Sequence, residues 1–141
     1  MAVNRKKKAK GQLQQETVET GGVDTQGHRN VQVYQLAYNL AMEVFRESKA
    51  FPKEEAFSLI DQIRRSSRSV AANVAEAFRK RQYPNMFVNK LVESDAKVTE
   101  TQVWVDFACD CDYLPSERRD DFMKRYEAIG KILNGMIAEP R

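Results

Sequence analysis

Four prolines divide the chain into segments of similar length, and they constrain its fold more than any other feature. They are Pro52, Pro84, Pro115 and Pro140. Proline fits the first turn of a helix but disrupts a helix interior, because it lacks the backbone N–H that the helix needs. We therefore predict that helix boundaries fall at these prolines and that no helix runs through one.

The segments between the prolines have the hydrophobic spacing of amphipathic helices. The predicted helices cover residues 31–48, 52–81, 84–111 and 115–138. Glu54 and Glu55 would then lie in the first turn of the second helix, which would be about 45 Å long. Four long helices joined by short turns predict an all-α protein, an up-down-up-down antiparallel four-helix bundle.

The first 28 residues differ in composition from the rest of the chain. They hold four of the six glycines and a lysine-rich run after Arg5, with few large apolar residues. Such a segment cannot bury enough apolar surface to offset the entropy lost on ordering. We interpret residues 1–28 as a disordered basic tail and residues 29–141 as a single four-helix bundle domain, because 141 residues leave room for one domain.

Several classes of protein are excluded by composition. With 42% hydrophobic and 30% charged residues, the chain has no apolar run of the roughly 18 residues that a membrane span requires. The charged N-terminus lacks the apolar segment of a secretory signal, so we expect a cytoplasmic protein with no membrane partner. Cys109 and Cys111 alone cannot form a disulfide framework.

Charge is segregated along the chain. Residues 64–81 carry six basic residues against Glu76 alone, a net charge of +5. Residues 93–121 carry nine acids against three bases, a net charge of −6. The domain is therefore expected to present one basic and one acidic surface.

The second predicted helix has three distinct faces. Its apolar face comprises Leu59, Ile63, Val70, Val74 and Ala77. Beside it runs a polar stripe of Gln62, Ser66, Ser69, Asn73 and Glu76, which we interpret as fixing register within the bundle or between subunits rather than as a ligand site. The far side holds Arg64, Arg65, Arg68 and Arg79, interleaved with small alanines.

The arginine face has three interpretations that the sequence leaves open: a solvated surface, a nucleic-acid contact, or ion pairing with a neighbouring subunit. The candidate nucleic-acid-binding residues are Arg64, Arg65, Arg68, Arg79, Lys80 and Arg81. Of the aromatic residues, only Phe78 and Tyr83 lie near them in the sequence, which favours phosphate contacts over base stacking.

Four motifs carry a family resemblance. They are Phe51-Pro-Lys-Glu-Glu55, Leu59-x-x-Gln62-Ile-Arg-Arg65, Ser69-Val-Ala-Ala-Asn-Val-Ala-Glu76 and Tyr126…Ile132-Leu-Asn-Gly-Met-Ile137. Over residues 31–138 the chain resembles the four-helix bundle proteins encoded in intervening sequences of bacterial 23S ribosomal RNA genes. It is also similar in fold to the accessory variability proteins of diversity-generating retroelements, which form pentameric barrels, bind nucleic acid and partner a reverse transcriptase. The resemblance implies a cyclic homo-oligomer, a pentamer.

Enzymatic function is not expected from these residues. His28 is the single histidine, so histidine-based acid–base chemistry and triads lack a part. Cys109 and Cys111 point about 200° apart on a helix and cannot converge on one metal ion. No glycine-rich phosphate loop is present. We therefore predict a protein with no catalytic residues, no metal and no cofactor.

Two functions of different classes remain. The first is a non-catalytic, oligomeric protein that associates with nucleic acid, RNA in particular, through its basic helix faces and tail. The alternative is a protein-interaction scaffold, such as an accessory factor that binds a reverse transcriptase in a diversity-generating retroelement. In either case Trp104 is predicted to lie in a subunit interface, because a monomer would leave this large ring in water.

Overall fold

Four α-helices form an antiparallel bundle, which confirms the predicted all-α fold. The computed structural model describes residues 27–140. The helices are α1 (Gln32–Ser48), α2 (Leu59–Arg79), α3 (Pro84–Asp110) and α4 (Ser116–Ala138), with short 3-10 helices at Gly27–Asn30 and Lys53–Glu55. This described part contains no strand, and none of its helices is long and apolar enough to cross a membrane. The predicted tail lies outside the described residues, apart from Gly27 and His28.

The core is built from one apolar stripe of each helix. All five residues of the predicted apolar face of α2 are buried, and so are Phe122, Tyr126, Ile129 and Leu133 of α4. Helix α3 contributes Phe87, Leu91, Val98 and Val105, while α1 contributes Val33, Ala37, Leu40 and Val44. Burial of each large aliphatic side chain stabilises the fold by about 1.5–3 kcal/mol. Hydrophobic burial of this kind therefore sets which face of each helix turns inward.

The predicted start of the second helix at Pro52 is wrong, because α2 begins seven residues later at Leu59. Residues 53–55 form a separate 3-10 turn, and the Glu55 carboxylate then caps α2. Its Oε1 accepts hydrogen bonds from the Leu59 backbone N–H at 3.2 Å and from the Ser58 hydroxyl at 2.6 Å. At 21 residues, α2 is about 32 Å long rather than the expected 45 Å.

The motif that begins at Phe51 forms a structural link between two connections at one end of the bundle. The buried Phe51 ring lies 5.6 Å from the Tyr113 ring in the α3–α4 turn. The Tyr113 hydroxyl donates a hydrogen bond of 2.9 Å to Glu55 Oε2, and this bond raises the pKa of Tyr113 to about 12. The Phe-Pro-x-Glu-Glu pattern thus joins the α1–α2 connection to the α3–α4 turn and caps α2.

Ion pairs join α1 to α4 along one seam of the bundle. Glu43 of α1 accepts hydrogen bonds from Arg125 at 2.7 Å and from Arg118 at 3.1 Å. Arg118 also donates to Glu47 at 2.9 Å, and both arginines contact Asp121. The hydrogen bond from Arg125 is the largest cause that lowers the pKa of Glu43, to about 2. These arginines therefore have a structural role.

Candidate nucleic-acid interface

The outer surface of α2 carries the predicted arginine face. Arg65, Arg68 and Arg79 are exposed, and α2 has no carboxylate between Asp61 and Glu76. Arg64 is only half-exposed, because its Nε donates a 2.7 Å hydrogen bond to Ser48 Oγ of α1. Its guanidinium also lies 4.7 Å from the centre of the Phe45 ring. The predicted face is therefore present, with Arg64 serving as an anchor between α1 and α2.

Most cations of this face have no acidic partner within the part of the chain that the structure describes. Over residues 27–140, no carboxylate lies within ion-pair distance of Arg64, Arg68, Arg79, Lys80 or Arg81, and Arg65 approaches Asp61 only at 4.0 Å. By contrast, Arg118, Arg119 and Arg125 of α4 are all held in ion pairs. The positive potential of the arginine face is consequently left available to an external anion.

Five of the nine acids of the acidic segment are ion-paired within the same chain. Its ion-paired acids are Glu93, Glu100, Asp106, Asp120 and Asp121. An acid already paired with its own subunit offers less attraction to an arginine of a neighbouring one. The other four, Asp95, Asp110, Asp112 and Glu117, are in no ion pair within residues 27–140, so phosphates and a neighbour's carboxylates both stay open as partners of the arginine face.

The polar stripe of α2 lies along its seam with α3. Ser66 is buried, and its hydroxyl is hydrogen-bonded to that of Thr101 at 2.8 Å. Glu76 is exposed and receives an ion pair from Lys90 at 2.8 Å. Of the other members, Gln62 is exposed, while Ser69 and Asn73 are half-buried. The two contacts that reach α3 come from the second and the last residue of the stripe.

Two buried partners on α3 were missed by the sequence interpretation. Thr101 pairs with Ser66, and the Ser94 hydroxyl donates a 2.8 Å hydrogen bond to the Val70 carbonyl oxygen. Both occupy inward positions of α3, in step with Leu91 and Val98. The sequence signal that could have identified them is a small hydroxyl residue at a position where the helical spacing otherwise places apolar residues.

One aromatic residue of α1, Phe45, accompanies the arginine face in addition to Phe78 and Tyr83, the two that the sequence places near it. Phe45 contacts Arg64, and the Arg68 guanidinium lies 5.8 Å from its ring centre. The Phe78 ring meets Phe87 of α3 at 5.8 Å, and the Arg81 guanidinium lies 5.8 Å from its centre. The sequence could not reveal this arrangement, because it depends on which flank of α1 lies beside α2.

An exposed apolar flank runs along α3, on the side away from the core. Val92, Val103 and Phe107 are its large exposed members. Trp104 is half-buried against the core, its indole N–H donates to Glu100 at 3.1 Å, and its ring lies 5.8 Å from that of Phe107. Within one copy of the chain, this flank faces solvent.

The antiparallel four-helix bundle defines the general class of this protein. The family model described as 23S rRNA-intervening sequence protein matches residues 29–135. The chain belongs to this family, as its four motifs indicate.

The chain is also similar to a solved structure. The crystal structure of a protein with unknown function from the S23 ribosomal protein family of Bacteroides thetaiotaomicron is similar, with 26% sequence identity and a TM-score of 0.68. The similarity covers 74% of this chain and 97% of that protein. No curated protein matches the sequence.

Proposed function

We propose that this protein is a non-catalytic, cytoplasmic oligomer that associates with nucleic acid, RNA in particular, through its arginine face and basic tail. The observation that carries the proposal is the set of α2 cations without an acidic partner among residues 27–140. The family description, which names 23S ribosomal RNA, supports RNA as the partner. The contacting residues would be Arg64, Arg65, Arg68, Arg79, Lys80 and Arg81.

The chemistry of these residues explains what kind of binding is expected. Guanidinium groups form paired hydrogen bonds with phosphate oxygens, and each neutralised phosphate releases counterions. Because phosphates are the same in every sequence, such contacts position a nucleic acid without reading its bases. Binding should therefore be independent of sequence and should weaken steeply as salt rises.

Replacing Arg65, Arg68 and Arg79 together by glutamine tests this proposal. Arg64 is left intact, because it anchors Ser48 and Phe45 and its loss would disturb the α1–α2 seam. If each removed arginine neutralises one phosphate, the slope of log affinity against log salt should fall by about 2 for single-stranded RNA. Fluorescence anisotropy with a labelled RNA of 20 nucleotides, between 50 and 300 mM salt, measures this slope.

A matched control removes the same charge elsewhere. Lys53, Lys124 and Lys131 are exposed and lie outside the arginine face, so their triple glutamine variant should keep most of the wild-type slope. Equal binding by the wild type and the arginine variant would refute the proposed role of this face. Dissociation of the arginine variant into monomers would instead show that these arginines pair with a neighbouring subunit.

Self-association is proposed on the apolar flank of α3. Burial of Val92, Val103 and Phe107 in a subunit contact, with Trp104 beside them, would remove exposed apolar area from water. The family resemblance supports a closed ring of five. Such a ring would multiply the arginine face, and several weak phosphate contacts would act together on one RNA.

Light scattering at micromolar concentration should then give a mass of several subunits. Phe107→Lys should shift the particle toward monomers, because a charge would be buried in the contact. Gln82→Lys adds the same charge at an exposed position between α2 and α3, and should leave the mass unchanged. A wild-type mass of one subunit would overturn the oligomer proposal.

The alternative function is a scaffold for a protein partner such as a reverse transcriptase. The exposed apolar flank of α3 is the observation that favours it, since such a surface suits a protein better than a polyanion. Gene neighbourhood separates the two functions. A position within a ribosomal RNA gene supports the first, whereas an adjacent reverse transcriptase gene with a template repeat supports the second.

A further inference from the structure

One flank of α1 places aromatic rings beside the arginine face of α2. Tyr34, Tyr38 and Phe45 are spaced by four and seven residues, so they share one side of the helix. Phe45 contacts Arg64 and approaches Arg68, which shows that this side borders the arginine face. The rings of Tyr34 and Tyr38 are 5.9 Å apart. Aromatic groups of α1 and cationic groups of α2 therefore lie on the same side of the bundle, on a surface named here the α1–α2 surface.

The position of Tyr38 follows from the antiparallel packing of α1 and α2. Arg64 of α2 is hydrogen-bonded to Ser48 of α1, which aligns the two helices at this point. Tyr38 precedes Ser48 by ten residues, about 15 Å along the axis, and so lies level with a point about ten residues beyond Arg64. Arg68 and Arg79 are about 6 and 22 Å from Arg64 on the same scale. Tyr38 consequently lies between the levels of these two arginines.

The charge of this surface and the small side chains within it make it suitable for a polyanion. The α1 acids Glu43 and Glu47 are engaged with arginines of α4. On α2, the residues of the outer side between Arg68 and Arg79 include Ala72 and Ala75, whose small side chains allow close approach. The surface is thus basic at both ends, with small side chains of α2 between them.

Tyr38 is the ring best placed to receive a base. Phe45 already has the Arg64 guanidinium at 4.7 Å and the Lys49 ammonium at 4.8 Å from its ring centre. The His28 ring packs edge-on against Tyr34, with the two ring centres 4.7 Å apart. Tyr38 is 49% exposed and rests on Tyr34, so it offers an accessible and oriented face.

We infer that the α1–α2 surface binds single-stranded nucleic acid, with one base stacked on Tyr38 and phosphates further along the strand, on either side of that nucleotide, held by Arg68 and Arg79. This inference rests on the proposed function and specifies the kind of nucleic acid that is bound. A duplex keeps its bases stacked inside, whereas a single strand can turn a base toward an aromatic ring. Stacking of this kind tolerates any base, in agreement with binding that does not depend on sequence.

An oligomer of 15 uridines and an abasic oligomer of the same length and charge separate stacking from phosphate contact. The wild type should bind the uridine oligomer about 5- to 10-fold more tightly than the abasic one, as expected for one stacked base. Tyr38→Ala should lose this preference while its affinity for the abasic oligomer stays the same. Tyr38→Phe should keep the preference, because the ring remains.

Tyr83→Ala is the matched control. Tyr83 is 59% exposed but lies in the connection between α2 and α3, beyond Arg79 and outside the stretch between Arg68 and Arg79 where Tyr38 lies, so its loss should leave the preference unchanged. Circular dichroism and light scattering should show the wild-type fold and mass for all three tyrosine variants.

The possible failures are distinct. If Tyr38→Ala keeps the preference for uridine, the stacking inference is wrong, and the proposed function survives provided that the arginine triple variant still weakens binding to the abasic oligomer. If neither oligomer binds the wild type, the proposed function itself is wrong. If Tyr38→Ala alters the mass, Tyr38 lies in a subunit contact, and the stacking inference is overturned.

Discussion

Replacing Phe51 by alanine is expected to lower the free energy of unfolding by about 3–5 kcal/mol, the usual cost of removing a buried aromatic ring. Phe51 is 6% exposed and contacts Tyr113 across the end of the bundle. Its loss would leave a cavity where the α1–α2 connection meets the α3–α4 turn. Tyr113 would also lose the ring that positions its hydroxyl toward Glu55, the cap of α2.

Phe57 supplies a control within the same connection. It is 97% exposed, so Phe57→Ala should change the free energy of unfolding by no more than about 0.5 kcal/mol. Urea unfolding followed by circular dichroism at 222 nm measures both variants. A similar, small loss for the two would show that Phe51 does not link the bundle end, whereas a large loss for Phe57 would place that ring in a subunit contact.

Acidification below pH 4.5 is expected to weaken the bundle through Glu43. Hydrogen bonds from Arg125 and Arg118 hold the pKa of Glu43 at about 2, below its ordinary value of 4.5. A carboxyl group whose pKa is lowered by folding stabilises the native state above the unfolded pKa. That stabilisation is lost as the pH falls from about 4.5 to about 2, where the native carboxylate becomes protonated.

Glu43→Gln should remove this contribution at neutral pH. Hydrogen bonds to charged groups contribute about 1.5–3 kcal/mol, and the side chain of Glu43 is 28% exposed, so we expect a loss of about 2 kcal/mol at pH 7. The variant should also lose less stability than the wild type between pH 4.5 and pH 2. Glu127→Gln, at an exposed position of the same α4 helix that holds Arg125, should match the wild type. Parallel pH profiles for Glu43→Gln and wild type would contradict the assignment.

Stability and the proposed function depend on different arginines. Arg118 and Arg125 are committed to ion pairs between α1 and α4, while Arg65, Arg68 and Arg79 are exposed on the outer side of α2. Substitutions on α2 can therefore test nucleic-acid binding with little effect on folding. Arg64 belongs to both groups, since it joins the arginine face and also anchors Ser48.

The sequence by itself determined the fold class and the inward faces of α2 and α4. Hydrophobic periodicity and the prolines are local signals, because a helix buries its apolar stripe whatever its neighbours are. The core residues of α2 and α4 were predictable for this reason, and so was the outward arginine face. The start of α2 was not predictable from the sequence. Glu55 caps the helix at Leu59, and the Glu55 side chain is also hydrogen-bonded to Tyr113, which lies in a distant turn of the chain.

Only the tertiary structure decided which charges remain available and which rings accompany them. Arginines look alike in a sequence, but Arg125 meets Glu43 across 82 positions of the chain, while Arg68 meets no carboxylate among residues 27–140. Likewise, Phe45 reaches the arginine face only because α1 packs antiparallel beside α2. Such contacts depend on the packing of whole helices against one another, and no local pattern in the chain encodes it.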